Sequence, residues 1–429
     1  MCTASLGDRT GVTFAVAIVV VTGALAACGA STATTSEPPP PAVTPPPAPP
    51  PPTPTTPPFR LVAADAGALP TSVLAGRSME ATMADLDRDG DLDIVVAREG
   101  EASLILLNSG AGRFTDDRTR LPQVVRDYED IAVGDFDRDG DLDLVLVAED
   151  DIPGTGLAPK HQYYLNDGGA RFTDASSRIP VVTEANAVAA GDLDGDGDLD
   201  LVLGNAGPET VLLNDGTGRF AESMGAVPAR GDVTQDVVLG DVDGDRDLDL
   251  VVGNESGGAN VLLLNDGRAR FAPSTPALPV RAAPEATRNV SLADIDADGD
   301  LDMAFANVIF ANGNPRPRLL RNAGGGRFED VTDPGLPASA SGFIDLEFGD
   351  IDSDGDADFV GTAFPSSALS VFLNDGRGLF TAPPVGTFPT PIVVQGIEVE
   401  MGDVDGDRRR DIYVATFIES ADVLVLNRP

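Results

Sequence analysis

The sequence predicts an all-β protein: a seven-bladed β-propeller of four-stranded blades, closed by pairing the N-terminal strand into the last blade. Three observations carry that prediction. Residue markers recur in fixed order from residue 59 to residue 429, and each repeat holds four short apolar runs. The last repeat lacks its fourth run, whose counterpart lies at the start of the repeat region. Four strands in a unit of about 50 residues indicate a propeller rather than a helical solenoid.

The plainest marker is a ladder of aspartates. Seven ladders begin at Asp85, Asp135, Asp192, Asp241, Asp294, Asp350 and Asp403, spaced by 50, 57, 49, 53, 56 and 53 residues. A second marker is Asn followed six residues later by Phe: Asn108/Phe114, Asn166/Phe172, Asn214/Phe220, Asn265/Phe271, Asn322/Phe328 and Asn374/Phe380. The third is an apolar residue before proline, from Leu69-Pro70 and Leu121-Pro122 to Leu336-Pro337 and Phe388-Pro389.

The second repeat shows how the strands are read. Its apolar runs are 131–133 before the ladder, 142–147 after it, 163–165, and 171–173 beyond an Asn-Asp-Gly turn. β-branched and aromatic residues bounded by turn dipeptides make all four strands. The seventh repeat ends at Asn427 with no Phe after it, while residues 59–70 match Phe114 to Pro122. The first structured strand is therefore expected to complete the last blade and remove two sheet edges.

The ladders are cation-binding candidates. Calcium takes six to eight oxygens in flexible geometry, and Asp at loop positions 1, 3 and 5 with Gly at 6 wraps carboxylates round one ion. An EF-hand would continue to Glu at position 12 between helices. Here that position is Val96 or Leu146, inside a strand, and Asp at position 9 closes the loop. The residues are Asp85, Asp87, Asp89, Asp91 and Asp93 in the first loop, then Asp135, Asp137, Asp139, Asp141 and Asp143. The third loop has Asp192, Asp194, Asp196, Asp198 and Asp200; the fourth has Asp241, Asp243, Asp245, Asp247 and Asp249. Asp294, Asp296, Asp298, Asp300 and Asp302 form the fifth, and Asp350, Asp352, Asp354, Asp356 and Asp358 the sixth. The seventh has Asp403, Asp405, Asp407 and Asp411, with Arg409 at position 7.

This DxDxDGxxD loop between strands of a seven-bladed ring resembles the FG-GAP/VCBS repeat family, which includes the integrin α-subunit head, over residues 59–429. The literal Phe-Gly and Gly-Ala-Pro signatures are mostly absent, which puts the likeness nearer the bacterial VCBS-type repeats. The resemblance implies up to seven structural Ca2+ ions, held by side chains at positions 1, 3, 5 and 9 and by the carbonyl at 7. Arg246 and Arg408 stand at position 6, where a left-handed residue other than Gly costs about 1–2 kcal/mol. Arg409 adds a cation, so the fourth and seventh sites are expected to be weakest.

Charge narrows the partners. The chain has 69 Asp+Glu against 29 Lys+Arg, a formal net charge of −40. Such a surface repels phosphate, which excludes nucleic acid and leaves membrane contact to a lipid anchor alone. With 42% hydrophobic residues the chain can fill a large core. One His and two Cys exclude a Cys/His zinc site and a disulfide framework. Calcium is expected to act as a structural staple that relieves self-repulsion, saturating at roughly 0.1–1 mM.

The N-terminus reads as an address. Residues 1–27 have the pattern of a lipoprotein signal peptide, with one Arg before an apolar run at 11–27. Leu25-Ala26-Ala27-Cys28 resembles the bacterial lipobox, which implies export, lipidation of Cys28 and, with Gly29 next, retention at the outer membrane or cell surface. Residues 28–58 then form the lipidated cysteine and a Pro-rich stalk with 14 prolines between Pro38 and Pro58. At about 3.1 Å per residue the stalk spans on the order of 60 Å.

Ladder and Asn turn are expected on one rim, leaving the other connections for the opposite face. Insertions there in the second and fifth repeats carry Lys160, His161, Phe310, Arg316 and Arg318. Five residues before each ladder lies a mostly polar ring: Glu80, Asp130, Ala187, Asp236, Asn289, Asp345 and Glu398. It is expected near the channel mouth, bonding between blades, with a cation or polyol site as the alternative.

The expected function is a surface-anchored calcium-binding module for a protein or carbohydrate ligand at the face opposite the calcium loops. The alternative is a secreted polysaccharide-acting enzyme using Tyr128, Lys160, His161, Tyr163 or Arg281; no catalytic residue is assigned. His161 reads as a solvated loop residue, and Arg230-Gly231-Asp232 as a chance tripeptide.

Overall fold

The computed structural model describes residues 59–429 except 75, 150–160, 183, 256–257, 282–283, 309–314, 364–368 and 418–419. The expected leader, Cys28 and the Pro-rich stalk lie outside the described residues, as do Lys160 and Phe310. No helix among the described residues is long and apolar enough to cross a membrane.

Each ladder falls between two antiparallel strands. In the second repeat Val125–Gly134, Asp143–Ala148, Gln162–Asn166 and Phe172–Asp174 pair in sequence order. The third, fourth and fifth repeats build four-stranded sheets in the same way. The sixth has three strands, with a bridge between Leu373 and Thr381 where a fourth would pair.

The last sheet is completed from the other end of the chain. Arg60–Ala63 pairs with Val423–Arg428, setting Arg60 opposite Arg428 and Ala63 opposite Val425. This is the closure expected from the sequence, shifted by two residues. Other repeats place Phe opposite their Asn, whereas Leu61 rather than Phe59 faces Asn427.

The first and second repeats share one sheet, which the sequence did not reveal. Asp93–Ala102 and Val125–Gly134 are each ten residues long and run on to pair Glu99 with Asp127 and Ala102 with Val125.

The innermost strands are Ser78–Ala84, Val125–Gly134, Ala187–Gly191, Thr234–Gly240, Thr287–Ala293, Phe343–Gly349 and Gly396–Gly402. Each lies against the next, and the last lies against the first. The strand after each ladder is buried on both faces, so residues such as 144–147 read as a continuous apolar run rather than an alternation. The core lies between neighbouring repeats. Leu86, Val95 and Ile105 pack with Ile131, Leu144 and Tyr164. Across the closure Ile94, Leu106 and Phe114 pack with Val404, Tyr413 and Leu424.

The apolar-Pro marker belongs to the same interfaces. Leu121, Val227 and Leu336 are buried, and the residue before each accepts an N–H from the marker Phe of the neighbouring repeat: Phe172 to Arg120, Phe271 to Ala226 and Phe380 to Gly335. At the end of the ring away from the ladders, buried polar pairs also cross between sheets, as in Ser78 to Asp422 and Thr234 to Glu209.

Candidate metal loops and central cavity

Hydrogen bonds fold each ladder into the same compact loop. The position-1 carboxylate accepts the N–H of residue 6: Gly90 to Asp85 at 3.1 Å, Gly140 to Asp135 at 3.0 Å, Arg408 to Asp403 at 2.7 Å. The position-5 carboxylate accepts the N–H of residue 7, as Asp89 does from Asp91 at 3.0 Å. Both positions 4 and 6 are left-handed, as at Arg88 (φ 61°) and Gly90 (φ 94°).

Position 9 anchors the loop. Asp93 is fully buried; one oxygen accepts the Leu86 N–H at 3.1 Å and the other the Asn108 N–H at 2.8 Å. The same two bonds recur at Asp143, Asp200, Asp249, Asp302, Asp358 and Asp411. The Asn marker thereby gains its meaning. Its side chain donates to the position-8 carbonyl of its own loop and to the position-2 carbonyl of the preceding loop. Asn166 thus reaches Leu142 and Leu86, and Asn374 reaches Ala357 and Ile295. Ladder and Asn turn therefore share one rim, as expected.

The loop interiors have the chemistry of a hard-cation site. Carboxylate oxygens of Asp85, Asp87 and Asp89 lie within 4.8 Å of one another, as do those of Asp135, Asp137 and Asp139. In the third, fourth and fifth loops the groups are Asp192/Asp194/Asp200, Asp241/Asp243/Asp249 and Asp294/Asp296/Asp302. Oδ1 of Asp85, Asp87, Asp135, Asp137, Asp296 and Asp352 is buried without a hydrogen-bond partner. Buried carboxylate oxygens left bare are costly unless something positive meets them, so the donor set fits calcium. Burial, then the neighbouring position-5 aspartate, pushes the position-3 carboxyls up, Asp352 to about 6. Burial holds Asp93, Asp143, Asp249, Asp302, Asp358 and Asp411 up at about 7, and Asp200 at about 6.

At position 7, where the resemblance implies that only the carbonyl is a ligand, the side chains pair outside the loop: Asp141 with Arg88 at 2.6 Å and Asp198 with Arg138, each arginine at position 4 of the preceding loop. Asp198, Asp247 and Asp356 also sit under the glycine of the Asn turn. At Gly216, Gly267 and Gly376 a Cβ would come within 2.6 Å of their oxygens. One expectation changes: the fourth loop is not set apart by strain. Arg88, Arg138, Arg246, Ala297, Ser353 and Arg408 each put one left-handed non-glycine residue into its loop, and only the third loop has glycine at both places. The seventh differs for another reason: Arg428 contacts Asp405 and lies 3.5 Å from Asp407, inside the carboxylate set.

The polar ring lines a central cavity of about 820 Å³ with walls from the innermost strands. Three of its carboxylates cross to the next sheet, as expected: Asp130 accepts the Val188 N–H at 2.7 Å, Asp236 that of Val290 at 2.6 Å, and Asp345 that of Val399 at 2.7 Å. Glu400 makes the equivalent bond to Met83 at 2.9 Å.

The other described candidates make bonds within the fold. His161 is buried, not solvated, and its Nδ1 accepts the Ala148 N–H at 3.2 Å. Tyr128 and Tyr163 are buried, Tyr163 donating to Asp143. Arg281 and Arg318 pair with Glu285 and Asp330, and Arg316 donates to the Leu336 carbonyl. Arg230 and Asp232 pair with each other at 2.8 Å.

A ring of antiparallel sheets, each with an acidic loop after its innermost strand, defines a β-propeller of Asp-loop repeats. The chain belongs to the FG-GAP-like repeat family, whose profile matches residues 85–146, 159–203, 192–252, 241–305 and 306–361. No curated protein matches it. Among solved structures it is similar to BBS1N in complex with ARL6DN, with a TM-score of 0.54 and 11% identity over 87% of this chain and 98% of that one. It also resembles an Agrocybe aegerita lectin that recognises non-reducing terminal N-acetylglucosamine, with a TM-score of 0.45 and 19% identity over 78% and 87%. At such identities BBS1N shares the fold alone.

Proposed function

We propose that this chain is a seven-bladed, calcium-stapled binding module, exported and lipid-anchored through Cys28, that holds a protein or carbohydrate ligand on the face away from the metal loops. The observation that carries the calcium reading is the set of buried, unpartnered position-1 and position-3 oxygens at Asp85, Asp87, Asp135 and Asp137. Positions 1, 3, 5 and 9 would hold each ion, and the ion would supply positive charge where carboxylates crowd. The seventh loop would bind most weakly, because Arg428 meets both Asp405 and Asp407 there. Binding is assigned to the opposite face because the second and fifth repeats carry longer connections in the sequence between ladder and Asn turn, and long connections on a rigid scaffold are where binding usually resides.

The test is binding of the full chain to glycan and envelope-protein panels with calcium and with EGTA, beside detergent partitioning and mass analysis of the N-terminus. Calcium-dependent capture of one ligand class, with an acylated Cys28, supports the reading. Unmodified protein that binds nothing in either state contradicts it.

A further inference from the structure

The central cavity holds more acid than the chain around it neutralises. Glu80, Asp130, Asp236, Asp345 and Glu398 line it from five of the seven innermost strands. Four more acidic residues stand along the wall, Glu129 among them, so nine carboxyl groups line the cavity against one guanidinium, that of Arg288. Arg288 is already paired with Glu255 at 3.4 Å. Arg410 stands beside Glu400, two residues nearer the ladder than Glu398.

Two acceptors in the ring are left open. Backbone N–H groups reach Asp130, Asp236 and Asp345. Glu80 is part-exposed into the cavity and otherwise enclosed by the fold, yet among the described residues no hydrogen bond or ion pair reaches its carboxylate. The charged groups round it are Asp130, Asp345, Glu400 and Asp236, all of its own sign. Asn289 fills another ring position and buries its Oδ1 without a hydrogen-bond partner. Acceptors enclosed in this way are costly until a donor meets them.

The rest of the lining selects the donor. Apolar side chains stand next to the acids, Ile344 by Asp345 and Ile397 by Glu398, with Phe417 at the mouth. A volume of about 820 Å³ is room for a small organic molecule and far more than a bare ion fills. An ammonium group brings three N–H donors, a positive charge and no acceptor. A polyol would bring acceptors of its own and leave the charge unmet. The mouth lies at the end away from the ladders, where Glu99, Glu149 and Phe417 stand at or just past the ends of the strands that follow them.

We propose that the central cavity is a binding site for an aliphatic polyamine, with ammonium groups at Glu80, Asp345 and Glu398 and methylenes against Ile344 and Ile397. The site stands whether or not the loops hold metal or a larger ligand covers this face. Burial first, and like charge second, raises the Glu80 and Glu398 carboxyls well above the usual range, a penalty that a bound ammonium relieves.

The test is isothermal titration of the full chain with spermidine in about 5 mM calcium, which fills extracellular-type sites and competes for loose surface charge. Wild type is compared with Glu80→Gln, Glu398→Gln and Glu222→Gln, the last an exposed outer-strand position. Thermal unfolding of each variant separates a folding defect from a lost contact. Wild type should take up one spermidine per chain. Glu80→Gln and Glu398→Gln should each weaken it by about tenfold or more, and Glu222→Gln by no more than about twofold. No uptake by wild type, equal uptake of magnesium or glycerol in place of spermidine, or the same loss in all three variants overturns the site.

Discussion

Asn108 and Val404 stand 296 residues apart and are joined by a 2.8 Å hydrogen bond from the asparagine Nδ2 to the valine carbonyl. The same side chain donates to the Leu92 carbonyl at 3.0 Å, while its own N–H is held by Asp93. One residue thus fixes its own loop and ties the first repeat to the last.

Asn108→Ala should destabilise the protein by about 2–4 kcal/mol, because it strips partners from two buried carbonyls at once. Urea unfolding measures it, with the exposed Ser109→Ala as a control expected within about 0.5 kcal/mol. Asn108→Asp should be nearly as damaging, since a carboxylate cannot donate.

Arg428 holds the place of a cation in the seventh loop, between Asp405 and Asp407. Removing it with Arg428→Gln should add close to one calcium ion per chain, or tighten the weakest site several-fold. Elemental analysis after dialysis against about 1 mM calcium, with isothermal titration, measures both.

Much of this architecture is legible in the sequence, for a physical reason. Every repeat must bury the same strand, turn the same corner and meet the same neighbour, so ladder, Asn turn and apolar-Pro recur where the contacts recur. Other features are not periodic and leave no signal. The paired extension at Glu99–Asp127 follows from two strands running long in one place. Burial of His161 depends on its bond to Ala148 across a strand pair. Loop strain was misjudged because position 4 also proved left-handed, and the sequence marks only position 6 with glycine consistently.

Backbone sign decides two further substitutions. Arg246 has φ 80°, so Arg246→Gly should stabilise by about 1 kcal/mol. Gly216 has φ 73° and would place a Cβ 2.6 Å from Asp198, which Arg138 holds in place. Gly216→Ala should therefore cost about 1–2 kcal/mol. Thermal unfolding of the pair gives opposite signs if the loop is built as described.

The loops also set a pH dependence. Without metal, burial holds the position-9 carboxyls at about 7, or about 6 for Asp200, against about 3.9 when unfolded. The native state then keeps extra protons, and metal-free stability falls as pH rises through that window. Calcium requires the ionised form, so the Tm gap between calcium and EGTA should widen from pH 5 to pH 8.

The most direct test of the central claim is calorimetric unfolding of the full chain with calcium against EGTA at pH 7.5, with bound calcium counted on the same sample. Several tightly held ions per chain and a Tm raised by ten degrees or more would be the signature of metal staples. Equal Tm values in both conditions, with no calcium retained, would contradict the account.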